Sequence, residues 1–158
     1  MKMLGLLLPL ALCVLPAGCT TGDDSGNAAL AARTIAVTIT SKNGAHTFQV
    51  DPAKTAEEQE RGLMFRTDLA DNGGMMFYPY PPEGPPREAS FWMKNTPSAL
   101  DIIFIRPDGT IAHIAENAVP FDETPLSSGE PVGAVLEIKG GRAAALGIAE
   151  GDKVSWAK

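Results

Sequence analysis

One stretch of this 158-residue chain gathers side chains that could do chemistry. Phe91 to Ile105 reads FWMKNTPSALDIIFI: an aromatic strand end, a polar turn, then an apolar run that opens on Asp101. Lys94, Asn95 and Asp101 thus border the most buried segment the pattern allows, and Glu137 lies in a second apolar run, Val132 to Ile138. Two readings follow. With Trp92 as a stacking surface, these residues can line a pocket that grips a small polar ligand or a glycan. They can instead lock the fold. Asn95 tolerates a tight turn and can bond its own backbone. The two acids can pair with Lys94, Arg61 or Arg66, since a carboxylate among apolar residues is costly unless paired. The lock carries more weight, and the two readings are compatible if the locked residues also line a cleft. Asp101 and Glu137 could also form the two-carboxylate pair of a glycosidase, but nothing in the sequence sets their separation.

Other candidate chemistry is weaker. Met64, Met75, Met76 and Met93, with His113, are soft donors suited to Cu(I). All four methionines sit in apolar runs, where methionine fills core gaps, and they form no tight Met-x-x-Met cluster. No metal or cofactor is expected. His46 and His113 have no Ser or Cys partner motif, so a hydrolase triad is unsupported. Gly140-Gly141 lacks the βα context of a phosphate cradle and reads as a turn. Tyr78 and Tyr80 stand in a proline-dense stretch, a stiff loop that packs on the surface or stacks on a partner. Arg61 and Arg66, at a helix end, suit carbonyls or acidic neighbours better than a bound anion.

The elements that position these residues are short. Thr34 to Thr40 and His46 to Val50 alternate and form a hairpin around Lys42-Asn43-Gly44. Thr55 and Glu58 have capping-box spacing, which predicts a helix running to about Met64. Met75 to Tyr78, Ala89 to Met93, Leu100 to Ile105, Thr110 to Ala115, Val132 to Ile138 and Lys153 to Trp156 read as strands. Arg142 to Leu146 reads as a short helix ended by Gly147. Glu116 to Pro131, with three prolines, reads as a long surface connection. The expected architecture is mainly β: a sandwich or partly closed barrel of about seven short strands with one or two short helices.

The first residues read as an address. Lys2 and the apolar run Leu4 to Leu15 form an export signal too short for a permanent span. Leu15-Pro16-Ala17-Gly18-Cys19 resembles the lipobox of bacterial lipoproteins, which implies cleavage before Cys19 and lipidation of its thiol. Thr20 is not aspartate, and the resemblance then implies the outer membrane, facing the periplasm; a soluble periplasmic protein is the alternative. The expected organisation is a signal peptide over 1–18, a lipid-anchored flexible tether over 19–33 and one mainly-β domain over 34–158. That domain has no cysteine, which excludes thiol catalysis, thiolate ligation and an internal disulfide. The formal charge of −6 makes nucleic acid and anionic lipid surfaces poor partners.

RGLMFR (61–66), GMMF (74–77), FWMKNT (91–96), LDIIFI (100–105), LEIKGG (136–141) and LGIAEGD (146–152) occur in this order. The set closely resembles a widespread prokaryotic domain family of unknown function, number 192, from about Thr34 to the end. Met76 stands where that family often has leucine, and the proline-rich loop is long. The resemblance implies a small, often exported, mainly-β domain and no established activity. The functional expectation is a non-enzymatic binding or accessory module for an envelope glycan or protein, held to the membrane by its lipid. Its expected site is Trp92, Lys94, Asn95, Asp101 and Glu137, with no catalytic residue. The alternatives are a polysaccharide-acting enzyme using Asp101 and Glu137, and a copper-binding protein using the methionines.

Overall fold

The computed structural model describes residues 34–157. The export signal, Cys19 and the tether lie outside the described residues. In chain order the elements are β1 (Ile35–Ser41), β2 (Gly44–Ala53), α1 (Ala56–Arg61), β3 (Gly73–Phe77), β4 (Arg87–Phe91), β5 (Leu100–Ile105), β6 (Ile111–Ala118), β7 (Leu126–Val132), β8 (Ala134–Lys139), α2 (Arg142–Leu146) and β9 (Lys153–Trp156). Seven strands form one sheet in the order β6-β5-β8-β3-β2-β1-β9, curled into a half-barrel, and β4 and β7 form a second, two-stranded sheet. The two edges of the large sheet meet at one end through a bridge between Thr110 and Lys153. Val154 N–H donates to Gly109 O (2.8 Å) and Ile111 N–H to Asp152 O (2.9 Å).

The sequence periods explain the two apolar layers. Alternation in β1 and β2 sends Val37, Ile39, Phe48 and Val50 to the concave interior. The continuous run of β5 is covered on both faces, as such runs require. Ile103 and Ile105 enter the interior, while Leu100, Ile102 and Phe104 face an outer layer under the β4–β7 sheet. β8 divides the same way, with Ala134, Leu136 and Ile138 inside and Val135 outside.

Two local readings change. The helix begins with the expected capping box between Thr55 and Glu58 but stops at Arg61, where Gly62 takes a positive φ of 48°. The 116–131 segment is not a surface loop throughout. β6 continues to Ala118, and β7 pairs antiparallel with β4. β7 is polar and contains Gly129 and Pro131, which hid it. An edge strand tolerates such residues, and the pairing accommodates a register shift between Glu88 and Ser90. Nine strands therefore stand among the described residues, against about seven expected.

Gly74 is the tightest point of the large sheet. A Cβ there would collide with the carbonyl oxygen of Glu137 on the neighbouring strand, and backbone cannot move aside as a flexible side chain can. Gly74→Ala is expected to destabilise by about 3 kcal/mol or more. A urea midpoint equal to that of the parent chain would contradict this packing.

Candidate functional site

A cleft of about 360 Å³ opens between α1, the outer face of β3 and β8, and β4. Glu137 lies at its floor. On β8 it pairs with Met75 of β3 and Ile102 of β5, and so shares the outer face with Val135. The residue is 4% exposed, and its Oε2 is buried with no hydrogen-bond partner. Burial disfavours the charged form and pushes the carboxyl up to about 8.

A second orphan oxygen comes from α1. Gln59 Nε2 donates to Ala53 O (3.0 Å) and Pro79 O (2.8 Å). Both amide hydrogens are thereby spent, which fixes the orientation of the group. Its Oε1, also buried, has no partner. Gly62 keeps the floor open. A Cβ there would lie 3.3 Å from the Phe77 ring and 3.8 Å from Glu137 Oε2, and its φ is one that L side chains rarely adopt.

The walls are aromatic. Phe77 meets Phe91 edge-on with centroids 5.1 Å apart, and Tyr80 lies 5.6 Å from Phe91. Trp92 stands at the rim, 47% exposed, with Lys94 Nζ 5.1 Å from its ring centroid. Arg61 and Arg87, both exposed, also line the cleft. Neither belongs to an ion pair among the described residues.

The five expected site residues separate. Trp92 and Glu137 line the cleft, and Lys94 reaches it only through Trp92. Asn95 holds the turn with a positive φ of 54°, and its carbonyl accepts from Phe65 N–H (2.8 Å). Asp101 is a lock, fully buried, whose partners are backbone amides and not Lys94, Arg61 or Arg66. Its Oδ1 accepts from Asn117 N–H (2.9 Å) and Gly141 N–H (3.0 Å), and its Oδ2 from Ala143 N–H (2.8 Å). Arg66 instead pairs with Asp51 and Asp68, each at 3.1 Å.

Two sequence readings are corrected here. Asp101 lies opposite Ile138, and Ile102 lies opposite Glu137. Side chains alternate along a strand, so the two acids point to opposite faces of the sheet and cannot flank one bond. A copper site on the methionines has no common centre. Met76 packs in the interior, Met93 and Met75 in the outer layer, and Met64 lines the cleft. His113 is engaged elsewhere, with Nδ1 2.8 Å from Glu150 Oε1.

Sequence reasoning missed Gln59, Gly62, Phe77, Arg87 and Phe91. Only Gly62 carried a signal, as a glycine inside the helix expected to run to about Met64, where it marks the early end. The role of Gln59 depends on the carbonyls of Ala53 and Pro79, the latter 20 residues away, and Arg87 and Phe91 arrive by the folding of β4 over the sheet.

The model of the DUF192 family, described as uncharacterized ACR, matches residues 37–156. The chain is similar to a solved protein of unknown function from Novosphingobium aromaticivorans DSM 12444. The two share 52% identity with a TM-score of 0.73 over 78% of this chain and 85% of that one. It is also similar to a solved protein from Sinorhizobium meliloti 1021, described as a candidate transcription regulator. That match has 39% identity and a TM-score of 0.72 over 78% of this chain and 93% of that one. No curated protein matches the chain.

Proposed function

The chain belongs to the DUF192 family, and from that premise we propose that it is an exported, lipid-anchored binding module whose ligand enters the Glu137 cleft. The observation that carries this reading is a buried carboxyl without a hydrogen-bond partner, set under an open aromatic cleft. Buried polar groups are almost always paired in folded proteins, and an exception calls for a ligand or bound water to complete it. Aromatic walls around a few convergent polar atoms are the common makeup of small-ligand sites. An envelope component, such as a glycan fragment stacked on Trp92, suits an exported domain with this rim.

The test is a thermal-shift series on the purified full-length chain with cell-wall glycan fragments and other small envelope components. A ligand at 100 times its Kd should add about 2.7 kcal/mol of stability. The gain should vanish in Glu137→Ala and shrink in Trp92→Ala. A gain of the same size in both variants would place the ligand elsewhere and sink the reading.

The anchor is a separate proposal, supported by Ala17-Gly18-Cys19 directly after an apolar signal core. Cys19→Ser is expected to move the protein from the membrane fraction to the soluble periplasmic fraction. Retention on membranes after that change would refute lipidation as the anchor.

A further inference from the structure

We propose that the cleft takes a zwitterionic small molecule, its ammonium group on Glu137 and Gln59 and its carboxylate on Arg61 and Arg87. This rests on the reading of the cleft as a ligand site and names what that site selects.

The argument starts from the floor. Gln59 has spent both hydrogens, so its Oε1 can only accept. Glu137 adds a carboxyl whose Oε2 no donor reaches. Once Glu137 is ionised, the floor offers acceptors alone and asks for donors. An ammonium carries three, enough for both residues, which line the same cleft. It also carries the charge that a desolvated carboxylate lacks here, since no ion pair among the described residues includes Glu137. Phe77 and Phe91 line the same cleft, and aromatic rings near a partly dry cation are favourable.

The mouth asks for the opposite charge. Arg61 at the end of α1 and Arg87 at the start of β4 both line it, and their planar donor forks match a carboxylate. A simple amine would meet these two cations with nothing to offer them. A simple acid would leave the floor unsatisfied. Only a molecule with both groups complements floor and mouth together. Among the described residues, the other ionisable side chains lining the cleft are Glu60 and Tyr80. Glu60 is an exposed carboxylate next to Arg61 in sequence, so the mouth sets two guanidinium groups against one acid and keeps a net positive charge.

Protons balance as follows. In the free protein near neutral pH Glu137 holds its proton. When the ammonium docks, Glu137 ionises and that proton passes to the buffer, while the ligand keeps its own three. Binding below about pH 8 is therefore coupled to proton release.

The experiment is titration calorimetry of the full-length chain in two buffers of different ionisation enthalpy. The probes are L-phenylalanine and 5-aminopentanoate, each beside its matched amine (2-phenylethylamine, pentylamine) and matched acid (3-phenylpropanoate, pentanoate). Cell-wall glycan fragments run in parallel. A zwitterion should bind at least about tenfold tighter than either matched half, with a buffer-dependent heat that reports proton release. Glu137→Gln should abolish the proton release and weaken zwitterion and amine together. Arg87→Ala should weaken zwitterion and acid while sparing the amine. An amine that binds as well as its zwitterion overturns the proposal, as does failure of both zwitterions to bind. A glycan that binds in a Glu137-dependent way while both zwitterions fail keeps the broader reading and defeats this one. Silence from every probe defeats both.

Discussion

Stability is expected to fall as pH rises from about 4.5 to about 8, and Glu137→Gln is expected to remove that fall. The sign follows from the cleft floor. Burial raises the Glu137 carboxyl from the ordinary value of 4.5 to about 8 in the folded state. Between those values the folded chain holds a proton that the unfolded chain has lost. Stability then decreases with pH, by about 1.4 kcal/mol per unit for a single group. The contribution is complete below pH 4.5 and gone above pH 8, a change of about 5 kcal/mol across the window. Glutamine has nearly the same shape and nothing to ionise, so the variant should match the parent at about pH 5 and exceed it at about pH 8. The lowered carboxyls of Glu58, Asp68, Asp71, Asp108 and Asp122 lose their contributions as pH falls, below this window, and do not mask it. Urea midpoints at several pH values give the test. Parallel curves for parent and variant would mean that Glu137 is ionised throughout, and that the floor is wet.

The second large effect belongs to Asp101. Its two oxygens accept three backbone N–H groups, from the β6 end at Asn117 and from the entry to α2 at Gly141 and Ala143. Asp101→Ala removes every acceptor and leaves those amides facing an apolar gap. Hydrogen bonds to a charged group contribute about 1.5–3 kcal/mol each, and stranded buried donors add a penalty. They share one network, so their losses do not add. A loss of about 4 kcal/mol is expected, much of the margin of an ordinary domain. Asp101→Asn keeps one accepting oxygen and should lose roughly half as much. Chemical denaturation measures both. An alanine variant within about 1 kcal/mol of the parent would show that these amides find other partners.

Much of the scaffold was legible because its signals are local. The LDIIFI run read as a central strand covered on both faces, and the Thr55 capping box marked the start of α1. Strand β7 was not legible, since its alternation of Leu126, Ser128 and Val132 is carried partly by a serine. That serine is buried because its hydroxyl accepts from Ala89 N–H. The site was half legible for a more instructive reason. Asp101 and Glu137 look alike in sequence, each an acid in an apolar run. What separates them is a one-residue offset in the β5–β8 register, which sends one acid toward waiting amides and the other toward a cleft. Register depends on long-range pairing, and no window of sequence contains it.

The order of the large sheet also has a mechanical side. β1 and β9, the first and last strands, are antiparallel neighbours, with Val37 opposite Trp156 and Thr40 opposite Lys153. The beginning of one therefore lies beside the end of the other. A pull between these two ends would act across the strands and load the Val37–Trp156 end first. Such a pair opens like a zipper, one ladder bond at a time, instead of resisting as a row in shear. A domain tethered through the residues before β1 would resist poorly any cargo that tugs at its C-terminal edge.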